Sequence, residues 1–108
     1  SDTNMPYFQT YDDVSSQHEQ IIQGISEACT IELRKEGPKN RFHEFWVRDT
    51  TIVHNHGTIT EGTKVIERHE EEVMNSVLAA KLEAIERATK VVRYQYKVPQ
   101  VTVNAKAM

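Results

Sequence analysis

RFHEFWVRDTTIVHNHG, residues 41–57, reads as two strands and the turn between them. Phe, Trp, Val, Ile and Thr crowd Arg41–Val47 and Thr51–His56, and the polar Arg48, Asp49 and Thr50 separate the two runs, which is the pattern of a β-hairpin. If Asp49 and Thr50 form a two-residue loop, His43 falls opposite His56 and Phe45 opposite His54, so three imidazoles share one face of the sheet. A loop one residue longer turns His43 to the other face.

Ahead of the hairpin, Cys29, Ile31 and Leu33 alternate with Thr30, Glu32 and Arg34, the two-residue period of a half-buried strand with an inert buried thiol at Cys29. Residues 37–40 break that strand as a turn. Beyond the hairpin, Gly57 predicts a bend into a short strand at residues 58–60. Glu61 and Gly62 then turn the chain into a fourth strand over Thr63–Ile66. Glu67 to Lys90 contains no Gly or Pro, and Met74, Val77, Leu78, Leu82, Ile85 and Ala88 recur at helical spacing, predicting one long helix with that face on the sheet. Glu70, Glu71 and Glu72 are read as charges of its first turns, with Arg87 and Lys90 in its last. Upstream, Ser16 and Glu19 have capping-box spacing ahead of Ile21, Ile22 and Ile25, which predicts a short helix near residues 16–26. Residues 91–103, rich in Tyr and Val and interrupted by Pro99, read as an edge strand or a docked tail. The expected class is α+β: an antiparallel sheet of about four to five strands carrying one long C-terminal helix. The expected division is an acidic arm at 1–27, a folded domain at 28–97 and a tail at 98–108.

The chain has 108 residues and a net charge of −3, unevenly spread: all 13 Lys and Arg follow residue 28, together with 11 of the 16 acids. An acidic arm, in which Tyr7, Phe8 and Tyr11 suggest docking, thus precedes a slightly basic body. No window reaches the roughly 18 consecutive apolar residues that a membrane helix needs. The lone Cys29 allows no internal disulfide and fits a reducing compartment, the cytoplasm. Glycines stand at 24, 37, 57 and 62, which makes no phosphate-binding loop and leaves no cofactor site to be read. His43, His54 and His56 lack the Cys or carboxylate spacing that accompanies metal sites, and no nucleophile or general base joins them. Trp46 reads as a core or half-core residue of the hairpin.

The order Asn40-Arg41-Phe42-His43-Glu44-Phe45, then Asp49 to Val53, then His56-Gly57-Thr58-Ile59, resembles the WGR domain without a gap. Glu61-Gly62-Thr63 is similar to that family's turn, residues 67–90 to its helix, and Arg93-Tyr94 to its closing Tyr, so the resemblance covers about residues 29–96. His56 and Thr58 stand where the family has Trp and Arg, while Gly57 is kept. In poly(ADP-ribose) polymerases the domain helps recognise DNA breaks, the Trp packing on the end nucleotide and the Arg linking to neighbouring domains. The resemblance implies a non-enzymatic module that contacts DNA ends or nicks through His56, Gly57 and Thr58. Arg34, Lys35, Lys39, Arg41, Arg87, Lys90 and Arg93 are the candidate phosphate contacts. His can stack on a base with less surface than Trp, and Thr58 cannot bridge charged partners as Arg does. The alternative is a regulatory module whose acidic arm or sheet edge binds a partner nucleic-acid enzyme.

Overall fold

The structure is a computed structural model describing residues 11–95 and 102–105. Helix α1 (Tyr11–Ala28) leads into β1 (Thr30–Lys35), β2 (Arg41–Arg48), β3 (Thr51–Thr60) and β4 (Thr63–Val73). Helix α2 (Val77–Lys90) follows, passes into a π-helical turn (Val91–Gln95), and β5 (Thr102–Ala105) ends the described chain. The five strands form one antiparallel sheet in the order β4-β3-β2-β1-β5, so the class is α+β. Among the described residues no helix is long and apolar enough to cross a membrane.

The hairpin register is as the two-residue loop requires: Arg48 pairs Thr51, Phe45 pairs His54 and His43 pairs His56. Asp49 adopts φ 52°, a left-handed conformation that Asp tolerates better than most residues. At the next turn Glu61 (φ 53°) and Gly62 (φ 79°) are both left-handed, which matches the twist of a tight hairpin and lets β4 return directly along β3. Inside the sheet, Ile31, Leu33, Phe45, Val47 and Ile52 point to one face and are buried against Ile21 and Ile25 of α1 and Ala80, Ala84 and Ala88 of α2.

Residues 58–60 continue β3 through Gly57, and β4 runs to Val73, so Glu70, Glu71 and Glu72 sit on an edge strand and not at a helix start. Helix α2 begins at Val77 with Ser76 as its cap, whose Oγ accepts the Ala79 N–H at 3.0 Å. The longer helix is N-terminal: α1 has 18 residues against 14 in α2. The face of α2 on the sheet is rotated from the expectation: Ala88 is buried and Met74 and Ile85 pack against the core as expected, but Ala80 and Ala84 take the place expected of Leu78 and Leu82. Leu78 and Leu82 are 65% and 58% exposed and Ile85 is only half-buried. The large side chains of the sheet and α1 already fill the inner layer, and a helix that presents Ala at i, i+4 and i+8 can approach closely over them. Cys29 lies outside the strand alternation, half-buried at the end of α1, with φ 59° and its N–H on the Ile25 carbonyl at 3.2 Å, a helix C-terminal conformation usually taken by Gly. The expected strand over residues 91–103 is helical up to Gln95, and Thr102–Ala105 takes the edge beside β1. Tyr7 and Phe8 of the arm, and Tyr96, Val98, Pro99 and Val101, lie outside the described residues.

Enlarging the inner face of α2 tests this arrangement. Ala84→Leu should destabilise the protein by about 1 to 3 kcal/mol through overpacking, read by thermal denaturation. An unchanged melting temperature would put Ala84 on the outer face, as the sequence periodicity predicts.

Candidate nucleic-acid interface

The register sets the side chains of the helix-bearing face in rows. Val47, Ile52 and Glu72 make one; Ile31, Phe45, His54 and Glu70 the next; then Leu33, His43, His56 and Arg68; and last Lys35, Arg41 and Thr58. Along β1, β2 and β3 polarity therefore rises from the apolar core through the imidazoles to the cations, while β4 adds Glu72, Glu70, Arg68 and Val65 to the same rows.

The three imidazoles pack ring on ring. His43 and His56 lie 4.6 Å apart with planes 9° from parallel, His43 and His54 lie 5.1 Å apart, and Phe45 stacks on His54 at 4.2 Å. Nδ1 of His43 and Nε2 of His54 are 2.8 Å apart, which requires one ring to donate its N–H and the other to accept, as neutral tautomers do. Burial, then the neighbouring rings of His54 and His56 and the Arg41 charge, lower the His43 pKa to about 3. Burial and His56 lower that of His54 to about 4, with Glu70 acting in the opposite direction. No group of three or more His, Cys, Asp or Glu among the described residues could hold a metal ion.

Gly57 is enclosed. A Cβ there would stand 1.9 Å from the Val65 carbonyl oxygen, because β4 bulges at this point and its backbone crosses close to β3. Thr58 is buried as well, so of the three residues at the expected edge only His56 is partly open.

The candidate cations divide into three groups. Lys35 and Arg41 are register partners and Lys39 is exposed in the turn between them, so these three share one end of the sheet with His56. Arg34 points to the opposite face and is bound to Glu32 at 2.8 Å. Arg87, Lys90 and Arg93 lie on α2 and the turn after it. Arg87 is held by Glu72 and Glu83, which raise its pKa against the effect of burial, and Lys90 lies 3.4 Å from Glu86.

Sequence reasoning missed Arg68, the register partner of His56, because it assigned residues 67–73 to a helix. A signal was present: Glu67 to Glu72 contains no apolar residue, and two helical turns packed on a sheet would need one on the inner side. It also missed a polar row on the opposite face. Glu32 and Glu44 are buried register partners, and Lys64 reaches across β3 to bind both. Burial opposes the ammonium charge of Lys64, but hydrogen bonds to the two carboxylates raise its pKa. Glu44 also accepts from Asn55 at 3.0 Å, Asn55 Oδ1 meets His69 at 2.6 Å, and His69 reaches Glu71 at 2.8 Å.

Compared with known protein families, curated proteins and solved structures, the chain matches none.

The neutral stack gives stability a defined pH dependence. His43 and His54 hold pKa values below the unfolded value of 6.5, so below that pH the unfolded chain binds protons that the folded chain refuses. Stability is complete above pH 6.5 and is lost as the pH falls toward the folded values. Between pH 7 and pH 5 the loss should be about 3 to 4 kcal/mol for the pair in urea denaturation. His43→Phe should shrink that loss, and an unchanged stability in the native protein over this range would contradict the stack.

Proposed function

We propose that the chain is a non-enzymatic binding module whose ligand is nucleic acid, taken at the sheet end where β1, β2 and β3 present Lys35, Lys39, Arg41 and His56. The observation that carries this reading is the register, which places Lys35 beside Arg41, and His43 and His56 in the adjoining row with Arg68. Cations flank stacked rings there, the combination that meets a phosphate chain on one side and a base or sugar on the other. The ion pairs at this end are exposed and exchangeable: Arg41 lies 4.0 Å from Glu67, and Arg68 is bound to Glu70 with both side chains open to solvent. The resemblance of residues 29–96 to the WGR domain points to the same strand, with His56 stacking where that family uses Trp.

A second reading, a module that binds a partner protein, is favoured by β4. This edge strand leaves Val65, Ile66 and Val73 exposed at 46%, 53% and 73%, and such an edge can accept another strand. The acidic arm contributes less than its charge suggests, since Ile21 and Ile25 of α1 are core residues. Removing residues 1–27 would damage the fold, so the test needs the intact chain.

Fluorescence anisotropy with a 5′-phosphorylated DNA duplex, followed across salt concentration, is that test. Arg41→Gln or Lys39→Gln should each lower the slope of log affinity against log salt by about 0.9. His56→Ala should weaken binding with little change in slope, because stacking is not ionic. Lys90→Gln on α2 should change neither. Absence of binding to duplex, nicked and single-stranded DNA at about 20 mM salt, where counterion release favours association most, overturns the reading and leaves the partner-protein module.

A further inference from the structure

Helix α2 is inverted for a helix on a sheet: its buried stripe is Ala80, Ala84 and Ala88, while Leu78 and Leu82 stand outward at 65% and 58% exposure. A surface helix ordinarily turns its large apolar residues to the core. Helix α1 runs antiparallel beside it, with the Lys81 ammonium on the Ser26 carbonyl at one end and His18 facing Ile85 and Thr89 at the other. Ile22 lies between His18 and Ser26 on that side of α1 and is 38% exposed. The outer crease between the helices is thus an apolar seam of Leu78, Leu82, Ile85 and Ile22. It deepens into a groove of about 360 Å³ to which Glu86, Thr89, Lys90 and Arg93 also contribute.

We propose that this crease is a homodimer interface in which α1 of one copy lies over α2 of its partner. Charge selects the occupant and its orientation. No Lys or Arg occurs in α1, and its Glu19 and Glu27 are exposed, whereas α2 carries Lys81, Arg87 and Lys90 against Glu83 and Glu86 and is followed by exposed Arg93, a small positive excess that remains although Arg87 and Lys90 pair with Glu83 and Glu86. A two-fold axis parallel to the helices sets each acidic α1 on the partner's more basic α2 and inserts Leu78 and Leu82 into the facing crease. An axis across the helices stacks α1 on α1, acid against acid, and is disfavoured. A layer of two helices 14 and 18 residues long and about 10 Å apart presents enough area to bury about 1,000 Å² over both copies, the lower bound of a specific interface. The seam lies on the outer side of the helix layer, so the dimer does not depend on nucleic-acid binding.

Sedimentation equilibrium of the full chain, from about 5 to 200 μM, tests this. A monomer–dimer equilibrium is expected, with dissociation at least roughly five-fold stronger at 500 mM than at 20 mM salt. Leu78→Glu with Leu82→Glu should raise the dimer dissociation constant roughly 100-fold or more while leaving the circular dichroism spectrum unchanged, since both side chains are exposed. Glu19→Lys with Glu27→Lys touches no buried residue and should also weaken the dimer, which keeps the test decisive if the leucine variant misfolds. A chain that stays monomeric, a dimer that survives the leucine substitutions or is strengthened by the charge reversal, or one abolished only by Ile66→Lys on the β4 edge overturns the proposal.

Discussion

Asp49 and Thr50 are the whole connection between β2 and β3, and with Asp49 left-handed the strands leave the turn with Arg48 opposite Thr51. Side chains alternate between faces at each residue, so this single pairing decides where every residue from Arg41 to Thr60 points. Phe45, Val47 and Ile52 go to the helices with His43, His54 and His56. Phe42, Glu44, Trp46, Val53 and Asn55 go to the other face. A slip of one residue would exchange the two sets, sending Glu44 and Asn55 into the apolar layer without partners and costing the desolvation of each. The core, the imidazole stack and the polar row thus share one origin.

The two faces are stabilised by different physics. On the helix side the layer between sheet and helices is apolar and buried, and the alanine stripe of α2 packs with Ile21, Ile25 and Phe45 in one core. On the opposite side Glu32 and Glu44 are buried together and tolerated because Lys64 binds both, with Arg34 on Glu32 and Asn55 on Glu44. Removing Lys64 would leave two adjacent buried carboxylates without their shared counter-charge, a far larger loss than any exposed ion pair of β4 represents.

Much of the sheet was legible in the sequence because half-buried strands and tight turns carry local signals. The alternation of Ile31 and Leu33, the aromatic run from Phe42 to Trp46 and the left-handed pair Glu61-Gly62 each predict what the structure contains. The C-terminal half of β4 was not legible. An edge strand exposed on both faces has no apolar period, and Glu67 to Glu72 matches a charged helix start equally well. That error carried forward: a helix begun at residue 67 takes Leu78, Leu82 and Ile85 as its inner face, whereas the depth left by neighbouring side chains, a tertiary quantity, selects the alanines. Of the candidate site, the pairing of His43 with His56 was legible from the two-residue loop, whereas Lys35, Lys39 and Arg41 were named for their charge and only the register sets them at one end of the sheet. Arg34 was assigned without regard to its face, and Arg87 without the Glu72 and Glu83 that hold it. Arg68 was missed with the end of β4.

The claim on which the site depends is that the register brings the three imidazoles into one desolvated stack. Two-dimensional NMR of the histidine rings across pH addresses it directly. The ring resonances of His43 and His54 should stay at neutral-imidazole positions down to about pH 5 and titrate only near 3 and 4, with dipolar contacts from His43 to both His54 and His56. Ordinary titration of His43 near pH 6.5, with no contact to the other two rings, would contradict the register and the binding surface built on it.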